Sequence, residues 1–262
     1  MLHCSKGACV IRENPYICGM THRNEWLDAA LGALESGPPA PASVPAAPAA
    51  AGAWHPMVPI RALAPSSRER IAAHLLALES GDRYLRFGYA ASDEQVRRYV
   101  EQLDFARDDI YGIYNRRLDL VAMAHLAYAP LPGHPHSAEF GVSVSPAARG
   151  RGYGARLFDR AIMHARNAGV GMVYIHALSE NTAMLRIARN AGARVQCDGS
   201  ESEAFLALPP PSLDSRMAEL IEQQYAEVDY QLKRQSRQWE MFLAGVRDMG
   251  ESVRKALSMQ GG

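Results

Sequence analysis

Three glycines and three arginines crowd the segment "SVSPAARGRGYGARLF", Ser143 to Phe158, where Gly150, Gly152 and Gly154 alternate with Arg149, Arg151 and Tyr153. A strand-like run precedes it and a helix-like run follows from about Gly152, so the glycines stand at a strand-to-helix junction. The first amides of a helix have no internal acceptors, and aligned peptide dipoles place roughly half a positive charge there. Glycine bares the backbone to a close ligand, and Arg149 and Arg151 add charge at the rim. Such a device holds an anion, and a diphosphate suits it better than a carboxylate. Two other phosphate loops do not match. A Walker A loop ends in Gly-Lys-Ser/Thr, where this chain has Gly154-Ala155-Arg156. A dinucleotide fingerprint needs GxGxxG in a parallel unit, whereas here the third glycine comes two positions after the second and hairpin strands come before.

Around this junction the pattern alternates between strand and helix. "MVPIRAL" (57–63) reads as a first strand, and "SSRERIAAHLLALES" as a helix capped by Ser66 or Ser67, with Ile71, Leu75 and Leu78 on one face. Asp93 caps a second helix carrying Val96, Val100 and Leu103. "DIYGIYN" and "LDLVAMAHLAY", separated by Arg116-Arg117, read as a hairpin. "AEFGVSVSP" is the strand that enters the loop. After it come a helix to about Ala168, the strand "GMVYIHAL", a helix from Glu180 to Ala191, and strands near 193–198 and 203–208. Hairpins combined with βα units imply one mixed sheet.

The ends differ from this body. Residues 36–53 are almost entirely Pro, Ala, Gly and Ser, a semi-extended linker. The arm before it holds Cys4, Cys9 and Cys18, with His3 and His22 nearby. No CxxC pair is present, so these are read as free thiols rather than a zinc knuckle. From Ser212 onward, Ile221, Tyr225, Val228, Leu232, Gln235, Trp239, Phe242, Val246, Met249 and Val253 advance in steps of four and three. A heptad seam of this length suggests a coiled coil; the other reading is a helix folded back to bury the same stripe on the body.

Lys+Arg and Asp+Glu balance at 28 each, which gives no electrostatic case for nucleic acid. No apolar run is long enough for a membrane span, and the first residues lack the pattern of a secretory signal, so a cytoplasmic location is expected.

Arg149-Gly150-Arg151-Gly152-Tyr153-Gly154 fits Q/R-x-x-G-x-G/A, and with "AEFGVSVSP" before it and "SENTAMLRIARNAGARV" after it the chain resembles the GNAT superfamily of N-acetyltransferases. "AEFGVSV" further resembles the "AEFAV" strand of bacterial protein-lysine acetyltransferases, and "DRYLRF" (82–87) an "RF" element of the same domains. The resemblance, over about residues 57 to 208, implies an α+β (α/β) fold with a GNAT-like mixed, mostly antiparallel central sheet flanked by helices; the heptad run adds a long C-terminal helix. Together with the composition of the ends, this gives an N-terminal arm (1–35), a Pro/Ala-rich linker (36–56), the acetyltransferase domain (57–208) and a C-terminal amphipathic or coiled-coil helix (209–262).

The resemblance also implies the ligand and the site. Acetyl-CoA (CoA) would lay its pantetheine against Val142, Ser143 and Val144, place its diphosphate on the amides of Arg149, Gly150, Arg151, Gly152, Tyr153, Gly154 and Ala155, and contact Asn181. Acetyl transfer needs a neutral amine, and Glu139, reached through one water, is the candidate general base; a surface or salt-bridged glutamate is the plainer alternative. One departure stands out: the tyrosine that many members place near the thioester sulfur is here Ala188, so solvent or another group must protonate the thiolate. Tyr153 and Tyr174 read as packing aromatics. His125, His134, His136, His164 and His176 lack ligand clusters and read as structural or exposed, and no metal is expected. The function implied is acetyl transfer to a primary amine, on a protein lysine or a small molecule, by direct attack in a ternary complex. The alternative is a catalytically weak acyl-CoA-binding scaffold that recruits a partner, or a second copy, through its C-terminal helix.

Overall fold

The computed structural model describes residues 58–129, 134 and 136–259, with side chains as far as residue 243. The arm with its three cysteines, the linker and the start of the expected first strand lie outside the described residues. Among the described residues, seven strands form one sheet in the order β1-β2-β3-β4-β5-β7-β6. They are β1 (Arg61–Ala62), β2 (Asp109–Tyr114), β3 (Leu120–Tyr128), β4 (Ser137–Val144), β5 (Met172–Leu178), β6 (Arg194–Asp198) and β7 (Glu201–Ala207). Only β4 and β5 pair in parallel; every other neighbouring pair is antiparallel. The mixed, mostly antiparallel sheet expected from the sequence is therefore present, although its first strand spans two residues rather than seven.

Helices α1 (Arg68–Leu76), α2 (Ser80–Phe87) and α3 (Asp93–Gln102) connect β1 to β2. α1 and α3 pack Ile71, Leu75, Val96 and Val100 onto one face of the sheet, against Ile110, Leu120 and Met123. The other face carries α4 (Tyr153–Asn167) and α5 (Thr182–Asn190), whose Leu157, Phe158, Ala161, Met184 and Ala188 meet Tyr111, Ala124, Leu126, Phe140 and Val173. Strand residues alternate between these two cores, as the pleat requires.

Local chemistry explains where the sequence pattern went astray. Ser92, not Asp93, caps α3: its hydroxyl accepts the Gln95 amide at 3.3 Å while Gln95 reaches back to the Ser92 amide at 2.8 Å. α2 carries no fully buried residue, so it has no apolar seam to read. It is held instead by Arg83, which donates to the Leu76 and Leu78 carbonyls at 2.6 and 3.2 Å and pairs with Asp93 at 2.6 Å. In the β2–β3 turn the Asn115 side chain accepts the Arg117 and Asp119 amides at 2.8 and 2.9 Å, which supports Leu118 in the left-handed region at φ 62°.

The long helix is present as α6 (Leu213–Met259), about 70 Å at 1.5 Å per residue. Among the described side chains, from Ile221 to Phe242, it does not bury the heptad stripe. It rests on the body by a different face, on which Ala226 is buried and Glu219, Glu227, Tyr230 and Lys233 bond to residues of the body. Val228, Leu232, Trp239 and Phe242 are 59–65% exposed on the outside. Among the described residues no helix is long and apolar enough to cross a membrane.

The anchor of α6 is ionic. The two ring nitrogens of His164 face Asp109 at 3.0 Å and Glu219 at 2.5 Å, and Glu219 also accepts from Arg160 at 2.9 Å and Asn167 at 2.6 Å. The Asp109 contact, reinforced by Glu219 and opposed by burial, lifts the His164 pKa above its ordinary value. Burial pushes Glu219 up, but its bonds to Asn167, His164 and Arg160 leave it below the usual carboxylate range. A raised folded-state pKa gives stability that is complete below the unfolded value near 6.5 and fades as pH rises through the folded value. A lowered carboxylate gives stability that fades as pH falls below about 4. Thermal unfolding followed by circular dichroism is therefore expected to show a melting temperature that declines from neutral pH into the alkaline range in the wild type, and a flatter alkaline limb in His164→Gln. Parallel limbs in the two proteins would remove this account of α6 docking.

Candidate active site

β4 ends at Val144, a short 3-10 turn covers Pro146–Ala148, and α4 begins at Tyr153. Gly150 and Gly152 both hold φ at 74°, in the left-handed region that a side chain makes costly, and Gly152 caps α4 without any side-chain partner. The first amides of α4, from Tyr153 to Ala155, therefore point out of the helix end. Gly154 is glycine for another reason: a Cβ there would lie 3.3 Å from Ile187 Cδ1, so it lets α4 close on α5.

The arginines of the loop go separate ways. Arg149 forms an ion pair with Asp82 of α2. Arg151 is exposed and, with Tyr153, lines a cleft of about 640 Å³ whose other walls include Arg116, Arg117 and Lys233. The cleft lies on the β2–β3 side of β4 and meets α6 at Lys233.

Upstream, β4 changes partners. It pairs with β3 along its whole length, from Ala138↔Tyr128 to Val144↔Ala122. Pairing with β5 stops at Glu139↔Tyr174, so Phe140 to Val144 continue along β3 alone. The backbone groups of Val142 and Val144 face the β5 side and are thus left at an opening inside the sheet, where buried amides and carbonyls require partners. Ser143, expected to share that role, is in register with Met123 and turns its backbone to β3, as Ser145 does toward the Val121 carbonyl at 2.9 Å. Ala138, Phe140, Val142 and Val144 face the α4 side. Glu139, Gly141 and Ser143 face α1–α3, as the Ser143 hydroxyl confirms by donating to His74 Nε2 at 2.9 Å. His74 Nδ1 donates in turn to the Leu120 carbonyl at 3.1 Å, and burial lowers the ring's pKa to about 4, so it is neutral. Glu139 thus stands at the mouth of the opening, in register with Tyr174, which stacks edge-on against His176 at 5.4 Å.

Beneath Glu139 runs a chain of polar groups that pattern reading did not find. Asp108 is gripped by Arg107 through both oxygens at 2.7 and 3.0 Å and accepts from His125 Nε2 at 3.0 Å. His125 Nδ1 is 2.9 Å from the Tyr99 hydroxyl, which lies 2.9 Å from Arg86 Nη2. Burial lowers His125 in spite of Asp108, and burial assisted by the charge of Glu139 raises Tyr99. Both therefore keep their neutral forms. His125 is buried and bonded at both ring nitrogens. Tyr99 carried no signal in the sequence, and Arg86 entered it only as part of the "RF" of "DRYLRF". Tyr99 lies beside the Val96–Val100 seam, and Arg86 lies on the helix that has no seam.

Asn181 caps α5, accepting the Met184 amide at 3.2 Å and donating to the Leu85 carbonyl of α2 at 3.4 Å. Ala188 is fully buried in the α4-side core. Among the described residues no cluster of His, Cys, Asp and Glu is arranged to hold a metal ion. The shape of the loop has a measurable cost of alteration. Gly152→Ala is expected to destabilise by about 1–2 kcal/mol in urea unfolding, while Gly171→Ala, at ordinary φ with nothing closer than 3.9 Å, stays near wild type. Equal midpoints for the two variants would contradict the strained loop.

Residues 76–193 match the family model of the acetyltransferase (GNAT) family. No curated protein matches the sequence. Among solved structures, the GNAT domain of S. lividans PAT is 20% identical, with a TM-score of 0.49 over 57% of this chain and 89% of that one. The structure of yncA from Salmonella typhimurium with its cofactor acetyl-CoA is 17% identical, with a TM-score of 0.47 over 59% and 96%. Spermidine N-acetyltransferase from Vibrio cholerae, in complex with CoA and spermine, is 16% identical, with a TM-score of 0.46 over 58% and 95%. Over residues 76–193, this chain is similar to the acetyltransferase domain of the GNAT family.

Proposed function

We propose that the protein transfers the acetyl group of acetyl-CoA to a primary amine by direct attack within a ternary complex. The observation that carries this reading is the parting of β4 from β5 beyond Glu139, immediately before a glycine-shaped helix N-terminus. The opening leaves the backbone of Val142 and Val144 as partners for the pantetheine amides, with Ser143 between them. The amides of residues 150–155 would face the diphosphate, that of Arg149 being engaged instead by the Pro146 carbonyl at 3.3 Å, with Arg151 at the rim and Asn181 at the neighbouring helix cap. Arg149 contributes less free charge than its position suggests, because Asp82 pairs with it. Bound there, acetyl-CoA supplies an activated thioester.

Glu139 accepts the proton of the incoming ammonium through a water, freeing the lone pair that attacks the carbonyl carbon. The carbon–sulfur bond breaks, the adduct nitrogen releases its remaining extra proton to solvent, and the thiolate takes a proton from solvent, since Ala188 offers none. A thiol is acidic enough to leave without a dedicated acid. The second reading, a weak acyl-CoA-binding scaffold, draws on the same Ala188 and on the exposed stripe of α6. Thiol release with a panel of amines separates the two. Wild type is expected to turn over, and Glu139→Gln to lose roughly 10²–10⁴-fold in kcat; stabilisation by CoA without any thiol release would select the scaffold.

The partner of the stripe is proposed to be a second copy of the chain. Tyr225, Leu232 and Trp239 alternate with Ile221, Val228 and Phe242 at heptad spacing on the exposed side, which is the pattern of a helix that buries its seam against a like helix. Leu232→Asp lies on this side, away from the docked face. Sedimentation is expected to give a dimer or larger species for wild type and a monomer for the variant; monomeric wild type would refute the assembly.

A further inference from the structure

We propose that Arg86 is an anion-recognition site for the acceptor, so that the preferred substrates are small molecules carrying a carboxylate beside the reacting amine, as amino acids do. The proposal rests on the acetyl-transfer reading and narrows it. Every hydrogen bond leading to Arg86 has one possible direction. Asp108 can only accept, so His125 presents Nε2–H to it at 3.0 Å and keeps a lone pair on Nδ1. That lone pair takes the Tyr99 O–H at 2.9 Å, and the phenol oxygen is left to accept from Arg86 Nη2 at 2.9 Å. The chain therefore orients the guanidinium while each link it offers to Arg86 is neutral.

The charge itself is not paired. Among the described residues no carboxylate forms an ion pair with Arg86, and its buried Nε–H has no acceptor. The nearest aromatic faces are Phe87 and Tyr99, with ring centroids 5.3 and 5.5 Å away. Nε is out of reach of a ligand, but Nη1 is neither fully buried nor hydrogen-bonded, so a half-buried guanidinium held in one orientation keeps a donor for an anion.

Its position defines which anion. A Cβ on Gly141 would lie 2.9 Å from Arg86 Cζ and Nη1, so the glycine makes room for the guanidinium on the face of β4 that also carries Glu139 and Ser143. Helix α2, which bears Arg86, is fastened at both ends over the opening. Asp82 pairs with Arg149 of the glycine loop, and the Leu85 carbonyl accepts from Asn181 at the cap of α5. Along a strand, two residues span roughly 6.7 Å. A small acceptor can therefore give its amine to Glu139 and its carboxylate to Arg86 at once. A polyamine would bring only cations to the same place, and the guanidinium would repel them.

The test compares free amino acids with their carboxamides as acceptors in the thiol-release assay, with CoA affinity measured separately by calorimetry. Wild type is expected to favour the free acids by roughly tenfold or more in kcat/KM. Arg86→Gln should bring the ratio near one by raising KM for the acids alone, with CoA binding unchanged. Arg86→Lys should restore part of the preference, and Tyr99→Phe, which loosens the orientation, should raise KM for the acids with little change in kcat. A wild type that treats both series alike, or an Arg86→Gln variant that loses equally on both, overturns the proposal. If no amine is turned over, calorimetry of N-acetylglycine against N-acetylglycinamide on the CoA-loaded protein decides, and absence of an Arg86-dependent difference overturns it. Failure of CoA to bind refutes instead the acetyl-transfer reading on which the proposal stands.

Discussion

A strand that keeps one partner and abandons the other is the constraint around which this molecule is arranged. β4 is hydrogen-bonded to β3 through Val144 but to β5 only as far as Glu139. Beyond that point, polar backbone groups in the middle of a sheet lack a strand to satisfy them, and such groups are costly when buried alone. The opening persists because both flanks are rigid. Phe140, Val142 and Val144 are packed into the α4-side core, and Ser143 is tied through His74 to α1. Left-handed glycines then turn the chain so that α4 starts at the mouth of the same opening.

The two faces of the sheet divide the remaining tasks. The α4 face is almost wholly apolar, and its packing fixes the depth of the opening. The α1–α3 face combines an apolar core with buried polar chains, His74–Ser143 and Asp108–His125–Tyr99–Arg86. In both chains burial keeps the histidine neutral, so each ring carries one donor and one acceptor and transmits a single orientation. Polar networks of this kind add little net stability, but they restrict the side chains they contain to one geometry. The same division reappears in α6, which docks by ion pairs and hydrogen bonds around Glu219, Glu227 and Lys233 and leaves its apolar seam outward.

Much of the architecture was legible in the residues. The hairpin 109–128, the strand entering the loop, the helix after it and the heptad seam all follow from periodicity and turn chemistry, and each is present within a few residues of its expected place. The glycine junction was legible for its chemistry, though not for its division of labour: two glycines serve backbone angles and the third serves packing. α2 escaped notice because hydrogen bonds of Arg83 hold it, rather than a buried stripe. The choice between Ser92 and Asp93 as cap rested on one reciprocal bond with Gln95 that adjacent acidic residues imitate in sequence.

What the sequence determined by itself was local: which segments are strands or helices, and that a bare, positively charged helix start follows "AEFGVSV". Those outcomes depend on residues a few positions apart, and so leave a periodic trace. Only the tertiary structure decided that Arg86, Tyr99, His125 and Asp108 meet under Glu139, and that the polar face of α6, not its heptad seam, turns to the body. These contacts join residues far apart in the chain through single side chains. A single contact has no period, and becomes visible only once the sheet has brought its partners within 3 Å of one another.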